Sequence, residues 1–295
     1  MLAPQYVLLK KLLPMKKKLA AFLCSGILLT SALYAQVSLP ASSTTQTIQQ
    51  EFGMGSIELV YSRPNIKNRV VFGDLVPYGK LWRTGANGAT RLTFTTPVEM
   101  GGKKIDTGTY ALYTIPAEES WEIILNKGVN NGGTSGYKES EDVVHFTVPA
   151  VKTTTKIETF TMQFADIKPE SCNLQLVWDK RMVTIPITTN IKDKIRSQID
   201  AAMLTDKKPY WQAAQFYFEY DKNLTRALEN VTKATEENPK AYYMFLYKAK
   251  IEKEMGKNAA AMQTSKTSLA LAKEAKNDDY VRMNEKLLKE LKKAN

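Results

Sequence analysis

Residues 98–125 read VEMGGKKIDTGTYALYTIPAEESWEIIL, and this stretch decides the fold of the larger half of the chain. Val98-Glu99-Met100 and Lys103-Lys104-Ile105 flank Gly101-Gly102. Two adjacent glycines supply the positive φ angles that a two-residue hairpin turn requires. Tyr110 to Ile115 and Trp121 to Leu125 follow as strands across a short acidic turn at residues 116–120. Alternation of this kind, broken by turn signals every 8 to 12 residues, continues on both sides from the 40s to about residue 188 and predicts a β sandwich.

Moving outward toward the N-terminus, Leu92 and Phe94 alternate with Thr93 and Thr95, and Ile57, Leu59 and Tyr61 alternate with Glu58 and Val60. Between these strands lies YSRPNIKNRVVFGDLVPYGKLWRTGANGAT, residues 61–90, with three arginines among four glycines and two prolines. Glycine and proline at that density fix a loop path rather than a helix or a long strand. Arg63, Arg69 and Arg83 offer planar forks that match carboxylate, phosphate or sulfate oxygens. Tyr78, Thr84, Asn87 and Thr90 could complete a polar pocket, and Trp82 could give a stacking face to a sugar or aromatic ring. The same residues read equally as scaffold. The arginines would then bind loop carbonyls or pair with Asp74 and Asp179, with Trp82 turned into the core. The sequence leaves both readings open.

Toward the C-terminus, KGVNNGGTSGYKESED at 127–142 has no periodicity, and its composition favours mobility. Val144 to Val148, Phe160 to Phe164 and Cys172 to Trp178 are read as strands, the last turning through Asp179-Lys180 into Val183 to Ile187. Cys172 shares the parity of Leu174, Leu176 and Trp178, which predicts a buried, inert thiol.

After Ile187 the period becomes helical. Thr189 or Asn190 can cap a helix carrying Ile191, Ile195, Ile199 and Met203 on one face. Two units of about 34 residues follow. Trp211, Phe218, Ala227, Val231, Ala234 and Pro239 occupy the large, small and terminating positions of the first. Phe245, Ala249, Gly256, Ala261 and Leu269 do so in the second, with Ser265 and Ser268 where apolar residues are usual. This pattern looks like a pair of tetratricopeptide (TPR) repeats, closed by a helix over about 278–292. Two repeats are fewer than usually stand alone, so the helical part is expected to dock on the sandwich through the helix at 191–203.

Met15-Lys16-Lys17-Lys18 followed by LAAFLCSGILLTSALYA is a basic segment, an apolar segment and a small residue at a cleavage point. It reads as a signal peptide with Met15 as the true start and cleavage after Ala35, which places the protein in the periplasm or cell envelope with no stable membrane span after cleavage. Removal of residues 1–35 takes five lysines and no acids, so the net charge of +11 falls to 36 − 30 = +6. The surplus sits in the lysine-rich helical half, which reads as solubility and not as a nucleic-acid surface.

His145 is the one histidine, placed off the apolar face of its strand, and Cys172 is the one cysteine outside the leader. A His-based metal site, a Cys-His nucleophile and a Ser-His-Asp triad therefore have almost no support. No phosphate-binding or dinucleotide-binding glycine motif is present, and no cofactor is expected. Carboxylate pairs such as Asp74 with Asp179 leave acid/base hydrolysis as the alternative.

The SRP run at 62–64, FGDLVPYGKLWRTGANGAT at 72–90, GTYALYTIP at 108–116 and NK at 126–127 together resemble a secreted bacterial family known as domain of unknown function 2911, over residues 48–188. The resemblance implies an exported β domain and no established activity. The helical half is similar to the tail of some members. In that family the position of Gly88 is often acidic, so if an acid there contacts a ligand or an arginine, this chain has lost that contact.

The resulting expectation is a signal peptide at 1–35, a linker at 36–47, a β sandwich at 48–188 and a TPR-like helical domain at 189–295. The role expected is that of a non-catalytic binding or scaffolding protein of the cell envelope. An anionic or sugar-like small ligand would be held by the arginine-rich loops, and a protein or peptide partner by the helices. The alternative is a hydrolase of envelope glycans or peptides using loop carboxylates.

Overall fold

A computed structural model describes residues 39–293. The expected signal peptide lies outside the described residues. A β domain is followed by six helices.

The nine strands are β1 (Thr44–Phe52), β2 (Gly55–Arg63), β3 (Thr90–Phe94), β4 (Val98–Met100), β5 (Lys103–Ile105), β6 (Gly108–Pro116), β7 (Ser120–Asn126), β8 (Asp142–Lys168) and β9 (Ser171–Thr188). They pair in the order β1-β2-β3-β6-β7-β8-β9-β4-β5, antiparallel throughout. The first part of β8 pairs with β7 and the remainder with β9, so β8 is shared by both layers of the folded-over sheet. The chain beyond β2 returns to β8 through a bridge between Asn65 and Thr159. Residues from all nine strands meet in one apolar cluster, including Leu59, Leu92, Ile105, Leu112, Trp121, Phe160, Leu174 and Ile185. Gly101 and Gly102 have φ of 58° and 74°, as the hairpin reading requires.

Three features depart from expectation. β1 begins inside the expected linker, because an edge strand of Thr and Gln shows no apolar alternation to read. Residues 144–148 and 160–164 belong to a single strand, β8, whose pairing register shifts at several points. Asp179 is not a turn: it takes φ of 51° within β9, opposite Ile157, so the strand kinks and continues.

The helices are α1 (Lys192–Ala202), α2 (Tyr210–Gln215, extended by a π-helical turn, Phe216–Tyr220), α3 (Leu224–Glu237), α4 (Tyr242–Glu254), α5 (Asn258–Glu274) and α6 (Asp278–Lys293). The helical segment meets the β domain at its start, where the buried Ile191 lies beside Gly53 and Lys192 beside Glu170. Ile199, with Ile195 and Met203 beside it, packs against Ala213, Phe216, Tyr217 and Val231 in a helical core of its own. Beyond Ile191, the apolar stripe of α1 is thus consumed by its own helical neighbours. A second helical cluster joins Leu246, Ala249, Ala261, Leu287 and Leu291. The joint to the β domain is polar: the Glu170 carbonyl accepts from Thr189 N–H at 3.0 Å, Glu170 Oε2 lies 3.7 Å from Lys192 Nζ, and Thr189 Oγ1 donates to the Pro97 carbonyl at 2.9 Å.

Candidate functional site

The central stretch, residues 61–90, runs along the upper end of β6. Trp82 and Thr114 exchange both backbone hydrogen bonds, at 2.7 and 2.9 Å, and Gly79 N–H donates to the Pro116 carbonyl at 2.9 Å. The stretch therefore continues the sheet where β3 stops. Its side chains separate into groups that do not converge on one pocket.

Arg63 and Arg69 fill their forks with protein oxygens. Arg63 Nε donates to the Phe160 carbonyl at 3.1 Å and Nη2 to Thr161 Oγ1 at 2.8 Å, which ties β2 to β8. Arg69 Nε and Nη2 donate to the Ile66 and Asn65 carbonyls at 2.9 and 2.7 Å, closing their own loop. Trp82 packs among core aromatics, stacked on Trp178 with ring centres 6.0 Å apart and edge-on to Trp121, and its Nε1 donates to the Gly85 carbonyl at 3.1 Å. Thr84 and Thr90 are fully buried. Thr84 Oγ1 donates to Thr114 Oγ1 at 3.1 Å, and Thr90 Oγ1 to the Thr84 carbonyl at 2.6 Å. These bonds hold Thr84 at φ of 54°, a conformation a threonine rarely adopts unaided. Tyr78 lies apart from all of these, on a cleft of about 280 Å³ with Lys152, Lys180 and Arg181.

The glycine- and asparagine-rich loop at 127–142 is anchored, against the expectation of mobility. Tyr113 Oη, buried on the outer side of β6, donates to the Gly133 carbonyl at 2.9 Å and accepts from Asn131 Nδ2 at 3.1 Å. Asn126 Nδ2 donates to the Lys138 carbonyl and to Asp142 Oδ1, and Tyr137 Oη donates to Asp142 Oδ2 at 2.7 Å. Burial, with the Asp142 carboxylate next in weight, raises the Tyr137 phenol far above its ordinary pKa. Ala111, Tyr113 and Ile124 form a small apolar cluster beneath the loop. Periodicity gave no sign of this, because the anchors are single polar side chains spread over three elements.

Between this loop, the turn at 87–89 and the outer face of β2 and β3 lies a cleft of about 370 Å³. Its polar lining is Thr45, Ser62, Asn87, Arg91, Asn130 and Asn131, with no carboxylate. Asn87, at φ of 59°, donates to Ser62 Oγ and to the Ser43 carbonyl, both at 3.1 Å, so its amide forms the wall of the cleft. Arg91 is exposed, pairs across the sheet with Val60 and Ala111, and has neither an ion pair nor a hydrogen bond from its guanidinium among the described residues. Gly88 lines the same cleft, and a Cβ there would meet nothing within 4 Å. Sequence reading missed Arg91, although Thr90 and Leu92 point inward and parity alone turns Arg91 out onto this face.

A cavity of about 550 Å³ lies elsewhere, at the polar joint between the domains. Its acids are Glu99 and Asp193, and Asp193 already accepts from Asn190 and Arg196 at 3.3 and 3.0 Å. His145 is on an open strand face, with Nε2 2.6 Å from Glu122 Oε2. Cys172 is buried, and burial pushes its thiol up to about 11.

The geometry defines a β domain with a carboxylate-free polar cleft on its outer face and a helical tail. Residues 43–187 match the model of a family described as protein of unknown function (DUF2911), and the β domain belongs to that family. Comparison with curated proteins and with solved structures returns no match.

Proposed function

We propose that the protein is an exported, non-catalytic binding protein of the cell envelope. Its β domain takes an anionic or sugar-like small ligand in the cleft beside Arg91, and its helices engage a protein or peptide. The observation that carries this reading is the chemistry of the cleft: amides, hydroxyls and one uncompensated guanidinium, with no carboxylate within the lining to serve as acid or base. A volume of about 370 Å³ is at the scale of small-ligand sites. Trp82, Thr84 and Thr90 act here as the frame of the Asn87 turn, while Arg63 and Arg69 brace β8 and the loop at 65–69.

For the tail, buried Ala227, Ala234, Ala249 and Ala261 at the helix contacts support a TPR-like arrangement. Trp211, Tyr243 and Tyr247 form a partly exposed aromatic ladder with ring centres 4.9 and 5.6 Å apart, a surface suited to a peptide. The basic and apolar leader supports export.

A thermal-shift screen of residues 36–295 against carboxylates, phosphates, sulfated sugars and glycan fragments tests the reading. A ligand at about one hundred times its dissociation constant adds roughly 2.7 kcal/mol. Turnover of any hit would favour the hydrolase alternative instead.

A further inference from the structure

We propose that the β domain holds a second, smaller site, distinct from the Arg91 cleft, in which Arg83 and Lys80 bind an oxyanion. The ligand class is a carboxylate, phosphate or sulfate, either free or as the end group of a larger molecule.

Arg83 is the one arginine of the central stretch whose guanidinium the fold leaves unanswered. Arg63 and Arg69 donate to carbonyls and a hydroxyl, as described above. Arg83 makes no hydrogen bond and no ion pair among the described residues, although it is half-buried. Its Nε is fully buried and has no acceptor. A buried N–H without an acceptor costs roughly 1–3 kcal/mol, and more for a charged group.

The space beside it supplies the reason. A cavity of about 170 Å³ is lined by Arg83, Lys80, Thr134, Trp82, Leu75 and their neighbours Val76, Pro77 and Leu81. Both charged groups in that lining are cations, and no residue in it is acidic. Lys80 is exposed and, like Arg83, has no partner among the described residues. Two uncompensated positive charges around one cavity call for a negatively charged acceptor. The cavity is less than half the volume of the Arg91 cleft, which selects a compact oxyanion group over a whole sugar ring. Gly133 packs against the guanidinium: a Cβ built there would stand 2.5 Å from Arg83 Nη1, so the loop approaches it as only glycine permits.

The test is calorimetric titration of the exported chain, residues 36–295, with acetate, inorganic phosphate and sulfate at constant ionic strength. Wild type is compared with Lys80→Ala and Arg91→Ala, and the Nε–H resonance of Arg83 is followed in parallel. The expected result is saturable binding of at least one anion, with a shift of the Arg83 Nε–H signal. Lys80→Ala should weaken it about tenfold, as loss of one charge-assisted bond implies, and the shift of the Arg83 Nε–H signal should persist in Arg91→Ala. Because Lys80 is exposed, its removal does not threaten the fold. Absence of saturable binding for all three anions overturns the proposal. So does binding that Lys80→Ala leaves intact, or binding that Arg91→Ala abolishes, which would move the anion to the other cleft.

Discussion

The guanidinium of Arg83 occupies the space that a side chain on Gly133 would need: Nη1 is 2.5 Å from where a Cβ would stand. Gly133 also sits at φ of 136°, outside the range that L-residues favour, and its carbonyl is the acceptor for Tyr113. One glycine thus joins the anchored loop to the central stretch. Gly133→Ala should destabilise the protein by about 1–3 kcal/mol through strain and contact together. In a denaturant double-mutant cycle, Arg83→Ala should recover the contact part and leave the backbone part. Simple additivity would mean that the two residues do not press on one another.

Tyr113→Phe keeps the ring in its apolar cluster and removes the hydroxyl that serves both Gly133 and Asn131. The expected loss is about 1–3 kcal/mol, concentrated in the loop at 127–142. Amide hydrogen exchange should show faster exchange at 127–142 than in the rest of the sheet. Unchanged protection there would mean that the loop is held by something other than this hydroxyl.

Tyr137 ties that loop to Asp142, and its pKa in the folded state is raised above the ordinary value of 10.0. The sign follows from linkage: the unfolded phenol ionises first, so the contribution is intact below pH 10.0 and is lost as pH rises above it. Stability should therefore fall at alkaline pH, and Tyr137→Phe should flatten that fall. Equal alkaline slopes for both proteins would contradict the assignment.

In the helical domain, Ser265 Oγ donates to Asn284 Oδ1 at 3.0 Å, Asn284 Nδ2 donates to Ser268 Oγ at 2.8 Å, and Ser268 Oγ donates to the Tyr242 carbonyl at 2.7 Å. All three side chains are fully buried. This network accounts for serines where the repeat pattern has apolar residues. Asn284→Leu alone should cost about 1–3 kcal/mol by stranding the serines, whereas Asn284→Leu with Ser265→Ala and Ser268→Ala should recover much of that in thermal melts.

What could be read from the sequence follows from what is local. β2 and β3 carry their burial in near alternation, β6 and β7 announce themselves as short apolar runs buried on both faces, and the Gly101-Gly102 turn is set by two adjacent residues. β1 was hidden because an edge strand of Thr and Gln has no apolar face to announce it. The kink at Asp179 was mistaken for a turn because an αL residue followed by Lys180 has the composition of one. α1 was assigned to the sheet because its stripe of Ile195, Ile199 and Met203 shows that it packs, and not against what. The arginines of the central stretch are close in sequence, yet the loop path sends Arg63 toward β8, Arg69 back onto its own carbonyls and Arg83 under Gly133. That path is set by long-range pairs such as Trp82 with Thr114, and no local pattern encodes them.

The most direct test of the binding-protein reading is the change in melting temperature that a screened ligand gives wild type and Arg91→Ala. Arg91 is exposed and unpaired, so its removal should leave the unliganded melting temperature unchanged within about 0.5 kcal/mol of stability. The account predicts, for a sugar-sized ligand too large for the Arg83 cavity, a rise in wild type that is lost in Arg91→Ala. A rise of equal size in both proteins would place the ligand elsewhere and contradict it.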